Sequence, residues 1–510
     1  MLCAGSVFHH RLLKENTMRE SGILMHLSSL PGPYGIGTMG RSAYEFVDFL
    51  DRAGQSCWQI LPLSPTGYGD SPYQSFSSWA GNHYLIDLDT LAGEGLLEPQ
   101  EIAAHSWGDD PGRVDYGALY RSRLQLLRLA YHRFRPTPEF QKYVADNALW
   151  LADYVLFMAL KWKFDGRPWL EWPEALRRHD PAATAEQYRE LSEETHFHAF
   201  LQFQFHRQWQ ALRAYAAGKG IRIIGDVPIY VPLDSADVWA EPELFQLDGS
   251  RRPTVVAGCP PDAFTADGQL WGNPIYDWDK MAQTGYDWWI RRLSAAAEKF
   301  DVVRLDHFRG FESYWAVKAG EKTARDGCWC PGPGLAFIRA IQKALPGLDF
   351  IAEDLGYVTR EVRRLQLDSG YPGMKVMEFA FDSREESDYL PHLYPACSVC
   401  YTGTHDNVTL RQWFDEASPE DVAYAKRYLG LNDEEGYVRG MIRGAMGSVS
   451  QLCVVQMQDY LELGASSRMN FPGTLSPSNW TWRAKPGFDS QALAAQIREI
   501  TKLYGRLKAE

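Results

Sequence analysis

Cysteine is scarce in this chain, with eight residues among 510, so the sequence excludes a small disulfide-stabilised scaffold. Two local pairs stand out: Cys328 with Cys330, and Cys397 with Cys400. A structural zinc site usually takes two Cys-x-x-Cys pairs, which this arrangement matches only in part. We therefore expect reduced thiols, no metal and no other cofactor, and keep a zinc-dependent structural role as a distant alternative.

Long apolar runs are also missing. No stretch approaches the roughly 18 residues that a membrane span needs, and the longest candidate, 154–164, is interrupted by Lys161. Residues 1–18 lack the basic start and the apolar stretch of a signal peptide. We expect a cytoplasmic protein that contacts no membrane, with a dispensable and disordered segment at 1–18.

An excess of basic residues is absent: 52 Lys and Arg stand against 65 Asp and Glu, a net charge of −13. Such a chain repels phosphate backbones, so nucleic acid is an unexpected partner. The sequence also contains no GxxxxGK[ST], GxSxG or HExxH motif. This argues against nucleotide phosphoryl transfer, a nucleophile-elbow hydrolase and a zinc protease.

Eight short β-like runs alternate with helical periods along the chain. Most runs are continuously hydrophobic, which is typical of parallel strands covered on both faces. The runs are 22–28, 57–63, 221–227, 301–306, 349–354, 373–379, 398–405 and 449–457. The helical periods include 41–53, 284–299, 334–344, 358–368, 418–429, 434–446 and 489–508. This order predicts an α/β fold, a closed (β/α)₈ TIM barrel, with a doubly wound open sheet as the alternative.

The strand spacing is uneven, and this predicts insertions. About 155 residues separate the second and third runs, far more than one crossover needs. We expect a single catalytic domain over 19–510, with inserted, mostly helical subdomains at about 65–218 and 230–283. Insertions after the second and third strands of a barrel lie on its C-terminal face, where active sites are built.

Ionisable residues follow four of the predicted strands. In a barrel these strand ends surround one mouth, so the side chains are expected to meet there. Each alone is more often a helix cap or an ion-pair partner, but four strands ending this way indicate a site. The residues are Asp226, Arg304 with Asp306, Glu353 with Asp354, and His405 with Asp406.

Several carboxylates with aromatics suit the chemistry of glycosidic bonds. The chain is 13% aromatic and holds 18 tryptophans, whose faces can stack on sugar rings. One carboxylate attacks the anomeric carbon and a second, protonated, donates to the leaving oxygen. Arg304 lies two residues from Asp306 and so on the same side of the strand. A guanidinium there is expected to lower the pKa of Asp306 and keep it ionised.

Long motifs across nearly the whole chain resemble one enzyme family. They include GILMHLSSLPGPYGIG, LPLSPTGYGDSPYQSFSSWAGNHYLIDL, GDVPIYV, PPDAFTADGQLWGNPIYDW, VRLDHFRG, IAEDLG, PGMKVMEFAF, YTGTHDNVT and SRMNFPGT. The chain resembles the 4-α-glucanotransferases, also called amylomaltases or disproportionating enzymes, glycoside hydrolase family 77. That family belongs to the α-amylase clan of retaining barrel enzymes.

The resemblance implies a role for each matching residue. Asp306 corresponds to the nucleophile, Glu353 to the general acid/base, and Asp406 to the carboxylate that holds the distorted sugar ring. The implied supporting residues are Arg304, His405 and Asp226, and the implied glucan contacts are Tyr73, Trp271, Asn470, Pro260 and Pro261. The two prolines belong to a loop expected to arch over the acceptor side.

The chain departs from the family pattern at a few positions. Leu27 and Ser28 replace a Pro-Thr type sequence, Val408 replaces an Asp, and Cys330 stands where a Lys is common. The departures leave Asp306, Glu353 and Asp406 unchanged, so they put donor or acceptor preference in question and not the chemistry.

The resemblance implies an enzyme that transfers α-1,4-glucan segments between maltooligosaccharides. The expected route is a retaining double displacement through a covalent glycosyl–Asp306 intermediate, which releases glucose and longer glucans. One alternative is an α-1,4-glucan hydrolase of the same clan, which a count of reducing ends released from maltotriose distinguishes. Another is a non-catalytic glucan-binding protein, which has no need of all three carboxylates. The sequence leaves the oligomeric state open.

Overall fold

A computed structural model describes residues 19–67, 69–261 and 266–508 of the chain. The segment 1–18, expected to be disordered, lies outside the described residues. Within the described part, none of the helices combines the length and the apolar character needed to cross a bilayer.

The described residues form strands in two sheets. Their bounds are β1 (Glu20–Leu24), β2 (Cys57–Gln59), β3 (Arg222–Val227), β4 (Val255–Cys259), β5 (Gln269–Pro274), β6 (Val302–Leu305), β7 (Ser313–Lys318), β8 (Gly327–Pro331), β9 (Asp349–Ala352), β10 (Gly373–Val376), β11 (Ser398–Tyr401) and β12 (Leu452–Gln456).

Eight of these strands close into a parallel barrel. Around the barrel the order is β1, β2, β3, β6, β9, β10, β11, β12 and back to β1. Each barrel strand lies within or overlaps one of the eight predicted runs. The predicted TIM barrel is therefore confirmed, and the alternative of a doubly wound open sheet is wrong. Closure removes the two free strand edges that an open sheet would expose.

The helices lie between and around the strands. Their bounds are α1 (Arg41–Arg52), α2 (Leu88–Gly93), α3 (Pro99–Ala103), α4 (Tyr116–Arg133), α5 (Pro138–Asp146), α6 (Ala148–Lys163), α7 (Glu174–Arg177), α8 (Pro181–Glu190), α9 (Ser192–Gly218), α10 (Ala236–Ala240), α11 (Trp278–Gln283), α12 (Asp287–Ala297), α13 (Gly334–Ala344), α14 (Arg360–Ser369), α15 (Leu410–Glu416), α16 (Pro419–Leu429), α17 (Tyr437–Gly447), α18 (Met457–Tyr460) and α19 (Gln491–Leu503).

Helices α2 to α9 fill the long interval between β2 and β3. Several begin at side-chain caps that satisfy a first-turn N–H group, such as Asp115 before α4 and Thr137 before α5. The last of them, α9, buries a row of aromatic side chains, including Phe200, Phe203 and Trp209. This helix returns the chain to β3, so the insertion shares one hydrophobic core with the barrel.

A small antiparallel sheet stands beside the barrel, and its strands come from two separate segments. β4 and β5 follow β3, whereas β7 and β8 follow β6, and the order across the sheet is β5, β4, β7, β8. The predicted insertion after the third barrel strand is therefore partly β-structured. Its strands depend on pairing with a hairpin that comes later in the chain, which local sequence patterns do not reveal.

Candidate active site

Neighbouring barrel strands place Asp226, Arg304 and Asp306 side by side. Asp226 on β3 and Arg304 on β6 are direct partners in the parallel register. The Arg304 Nη1 atom lies 2.6 Å from Asp226 Oδ2 and 3.0 Å from Asp306 Oδ1. Arg304 and Asp226 are buried, while the Asp306 side chain keeps 27% of its surface exposed. A single guanidinium thus serves two carboxylates, and one of them faces the open mouth.

The electrostatics of Asp306 differ from the sequence expectation. Burial raises the pKa of Asp306 to about 8; the Arg304 guanidinium lowers it, and the charges of Asp226 and Glu353 raise it again. The guanidinium lowers this pKa as expected, but burial outweighs it and the charge of Asp226 adds to the rise, so the expectation that Arg304 keeps the pKa of Asp306 low is wrong. Direct contact with Arg304 opposes this rise and favours the ionised form of Asp306.

Glu353 is held by main-chain N–H groups. His307 N donates to Glu353 Oε2 at 2.7 Å, and Leu355 N donates to Oε1 at 2.9 Å. His307 adopts the left-handed conformation, with φ of 50°, which is unusual for a residue other than glycine. This turn directs its N–H at the carboxyl group one strand away. Burial raises the pKa of Glu353, against the lowering effects of Arg304 and the two N–H donors.

Asp406 is fixed by residues from the C-terminal part of the chain. Asn470 Nδ2 donates to Asp406 Oδ1 at 2.6 Å, and Arg468 Nη2 donates to the Asp406 main-chain oxygen at 2.7 Å. His405 Nε2 lies 3.5 Å from Asp406 Oδ2. Burial lowers the pKa of His405, which favours a neutral imidazole that can bind a hydroxyl group.

Aromatic rings line the same mouth. Tyr73 donates its hydroxyl to Asp226 Oδ2 at 2.7 Å, and its ring is stacked on His405 with centroids 5.1 Å apart. Trp480 lies against both rings, at 5.7 Å from Tyr73 and 5.9 Å from His405. These three side chains form an aromatic wall beside Asp406.

Trp271 contributes a second aromatic surface, next to His307. Its ring meets His307 edge-on, with centroids 4.7 Å apart and planes at 90°. His307 follows Asp306 directly, so Trp271 on β5 contacts the residue next to the predicted nucleophile. Pro260 and Pro261 follow β4; Pro260 is half-buried and Pro261 is exposed. Phe264, between these prolines and β5, lies outside the described residues.

Sequence reasoning missed several residues of this site. Arg468 and Trp480 come from a stretch after β12 with little regular structure. Their only signal in the sequence is the density of aromatic and basic residues around the SRMN motif. His307 lies within the VRLDHFRG motif, but the main-chain geometry that gives it a role is invisible in the sequence.

Glu378 is a further missed residue. It follows β10 and is buried, and its Oε1 atom has no hydrogen-bond partner among the described residues. Burial and the charge of Asp459 raise its pKa well above the ordinary range. Glu378 interacts with the side chain of Asn407, the residue that follows Asp406, and so supports this part of the site from behind.

The cysteines occupy different parts of the structure. Cys328 and Cys330 lie on β8 with their Sγ atoms 3.7 Å apart. Cys397 lies just before β11, and Cys400 is buried on β11 beside Cys453 of β12. In the ranges that the structure describes, no group of three or more His, Cys, Asp or Glu residues is placed to hold a metal ion.

Comparison with known proteins agrees with this geometry. The sequence profile of a family described as 4-alpha-glucanotransferase matches residues 25–489. The chain belongs to the 4-alpha-glucanotransferase family. The match begins directly after β1, spans the other seven barrel strands, and includes each of the ionisable strand ends.

Named relatives of this 4-alpha-glucanotransferase family align over almost the full chain. A 4-alpha-glucanotransferase of Clostridium butyricum is 47% identical over 486 residues, which cover 94% of this chain and 100% of the relative. One of Thermus thermophilus is 48% identical over 502 residues, covering 96% and 99%. The predicted resemblance is thereby confirmed.

Solved structures show the same fold. An amylomaltase from Streptococcus agalactiae, in complex with acarbose, superposes with a TM-score of 0.93 at 42% identity, covering 96% of this chain and 100% of that one. An amylomaltase from Corynebacterium glutamicum superposes with a TM-score of 0.75 at 19% identity, which shows likeness of fold alone.

Proposed function

We propose that this member of the 4-alpha-glucanotransferase family transfers α-1,4-glucan segments between maltooligosaccharides by a retaining double displacement. The observation that carries the proposal is the arrangement of Asp306, Glu353 and Asp406 at the ends of barrel strands, with aromatic rings against His405 and His307. Identities of 47% and 48% to relatives named for this reaction support it.

In the first half-reaction, a carboxylate oxygen of Asp306 attacks the anomeric carbon of the donor. The bond from that carbon to the glycosidic oxygen breaks, and the proton of Glu353 passes to the departing oxygen. Arg304 supports this charge distribution because it contacts Asp306 directly, at 3.0 Å, and therefore favours the proton on Glu353. The product is a glycosyl ester on Asp306.

In the second half-reaction, the 4-hydroxyl of an acceptor sugar attacks the same carbon. Its proton passes to Glu353, the ester bond breaks, and Asp306 leaves as a carboxylate. Two inversions give net retention. Asp406, held by Asn470, is proposed to bind hydroxyls of the distorted ring, and His405 and Tyr73 to line that subsite.

Transfer instead of hydrolysis requires a sugar to compete with water. A positioned hydroxyl gains from proximity, which can amount to roughly 7–11 kcal/mol. We propose that the segment 253–274, with Pro260, Pro261 and Trp271, favours the acceptor and excludes water. Trp271 supports this role because its ring contacts His307, next to the nucleophile.

The proposed substrates are maltooligosaccharides and longer α-1,4-glucans of the starch, glycogen and maltodextrin type, with no cofactor. We also propose that residues 19–510 act as one catalytic domain with insertions at about 65–218 and 230–283. The cytoplasmic location expected from the sequence stays a prediction.

Incubation with maltotriose tests the proposal. Transfer yields glucose and longer maltooligosaccharides with little net gain in reducing ends, since each bond broken is replaced by a bond formed. Chromatography of the products and a reducing-end assay measure the two quantities together. A rise in reducing ends that matches the loss of maltotriose would establish the hydrolase alternative, and the absence of turnover would establish a binding protein.

A further inference from the structure

Two exposed aromatic rings pack against one buried arginine that lies just after β6. The arginine is Arg309, three residues after Asp306, on the short 3₁₀ helix Phe308–Phe311. The rings belong to Trp329 on β8 and to Tyr357, four residues after Glu353. We call Arg309, Trp329 and Tyr357 the Arg309 shelf.

Arg309 contacts both rings of the shelf. Its guanidinium carbon lies 3.8 Å from the centroid of the Trp329 ring and 5.9 Å from that of Tyr357. Arg309 Nη1 also donates to the Tyr357 main-chain oxygen, and Nη2 donates to Ser313 Oγ at 3.1 Å. The Trp315 ring on β7 packs against Trp329, with centroids 5.2 Å apart. The Trp329 ring is therefore held between Arg309 and Trp315 before any ligand arrives, and Tyr357 is held through its main chain, which reduces the entropy lost on binding.

In the Arg309 shelf the arginine is buried and the two aromatic side chains are exposed, as a binding surface requires. Arg309 is 3% exposed, whereas Trp329 is 38% and Tyr357 is 70% exposed. A surface arginine–aromatic pair alone would be an ordinary cation–π contact. Here the cation is buried and its Nε atom has no hydrogen-bond partner among the described residues. Neither the Trp329 indole N–H nor the Tyr357 hydroxyl makes a hydrogen bond within the described part of the chain, so both stay available to sugar hydroxyls.

Tyr357 of the shelf belongs to the segment that carries Glu353. Residues 353–357 are continuous in sequence, and Leu355 within them donates to Glu353 Oε1 at 2.9 Å. The aromatic wall of Tyr73, His405 and Trp480 instead accompanies Asp406. Because the acid/base acts on the oxygen between donor and acceptor sugars, its side is the leaving-group and acceptor side.

We propose that Trp329 and Tyr357 bind an α-1,4-linked glucan on the acceptor side, beyond the first acceptor sugar, with Arg309 as the positioning residue. This rests on the proposed transfer function and adds a preference for longer acceptors. Sugar rings stack on the two aromatic faces, and the indole N–H and the phenol reach their hydroxyls.

Acceptor length is the variable that tests the shelf. An activated maltosyl donor is offered with glucose, maltose, maltotriose or maltotetraose as acceptor, and kcat/KM for each acceptor is measured. For Trp329→Ala and Tyr357→Ala, the loss with maltotriose should exceed the loss with glucose by about tenfold, the value of one stacked ring. Trp329→Phe should recover part of the loss.

Trp162→Ala is the matched control, because this tryptophan is 62% exposed on α6, in the inserted helices. Trp162→Ala should leave kcat/KM unchanged for every acceptor. Thermal melting should show that every variant is folded. Equal losses on all acceptors, no losses, or the same length dependence in the control would overturn the proposal.

The wild-type enzyme in the same assay separates the two claims. If it releases reducing ends without transfer, the proposed function fails. The shelf proposal is then tested by the rates at which the same variants hydrolyse long and short substrates. An equal loss of rate on both would overturn it.

Discussion

At the scale of single residues, Asp306 carries the strongest claim. Asp306→Asn should lower transfer by at least about 10³-fold, because an amide cannot form the glycosyl ester. The variant should still bind maltooligosaccharides, since shape and hydrogen-bonding capacity at the mouth are largely kept. Activity assays with calorimetric binding measure both effects. Asp415→Asn, an exposed change on α15, is the control. Activity within about tenfold of wild type would remove Asp306 from the role of nucleophile.

Glu353 should respond to the quality of the leaving group. A proton donor matters most when the leaving oxygen is strongly basic. Glu353→Gln should therefore retain more of its activity on maltosyl fluoride than on maltotriose, compared with wild type. Glu499→Gln on α19 should affect neither substrate. If both substrates lost activity in the same proportion, Glu353 would not be the acid/base.

The pH dependence follows from the raised pKa values of this pair. Asp306 must be ionised and Glu353 protonated, so the active form holds one proton between two carboxyls. Burial raises the pKa of Asp306 to about 8 and raises that of Glu353 as well. Activity should fall on the alkaline side only when this shared proton is lost, well above the ordinary value of 4.5 for a glutamic acid.

The pH profile of kcat/KM on an aryl α-maltoside checks this expectation. On the acid side, activity should fall as the second proton is taken up and the nucleophile is neutralised. An alkaline limb in the ordinary carboxyl range would show that the site does not raise these pKa values.

The residues of the site were predictable to different degrees. Four residues could be predicted because each lies near the end of a buried apolar run: Asp226, Arg304, Asp306 and Glu353. A charged side chain there destabilises the fold unless it is paired or takes part in function. Arg468, Trp480 and the main-chain donor of His307 could not, because they reach the site through irregular backbone. The competition between Asp226 and Asp306 for Arg304 also needed the structure, since it depends on register between strands.

At the scale of elements, the hairpin of β4 and β5 is the proposed acceptor element. Trp271→Ala, or a shortened 253–274 segment, should raise the ratio of hydrolysis to transfer by about tenfold, because water gains access as the acceptor loses its position. Product analysis of maltotriose digests, with Trp162→Ala as control, measures the ratio. If both reactions fell in proportion, the hairpin would serve binding or folding in general, and the acceptor site would lie elsewhere.

The elements were predicted unevenly for a physical reason. The eight barrel strands are continuous apolar runs, and this pattern survives in the sequence because each strand is covered on both faces. The sheet of β4, β5, β7 and β8 has short strands with mixed patterns, including VVAGC and QLWGNP. Its stability comes from pairing between segments on either side of β6, which no local pattern encodes.

At the scale of the whole molecule, the barrel brings residues from distant parts of the chain to one mouth. Tyr73 precedes α2, Asp306 follows β6, and Asn470 follows α18, yet they belong to one site. Closure of the barrel fixes their relative positions, and the insertions supply the walls. The covalent intermediate on Asp306 is the central claim, because retention and transfer both depend on it.

Trapping that intermediate tests the central claim most directly. Glu353→Gln is incubated with α-maltosyl fluoride, whose leaving group needs no acid, while the loss of the base slows release. Mass spectrometry of the intact protein and of its peptides should show one maltosyl adduct, on the peptide that contains Asp306. The double variant with Asp306→Asn should show none. An adduct on another residue, or consumption of the fluoride with inverted product and no adduct, would contradict the account.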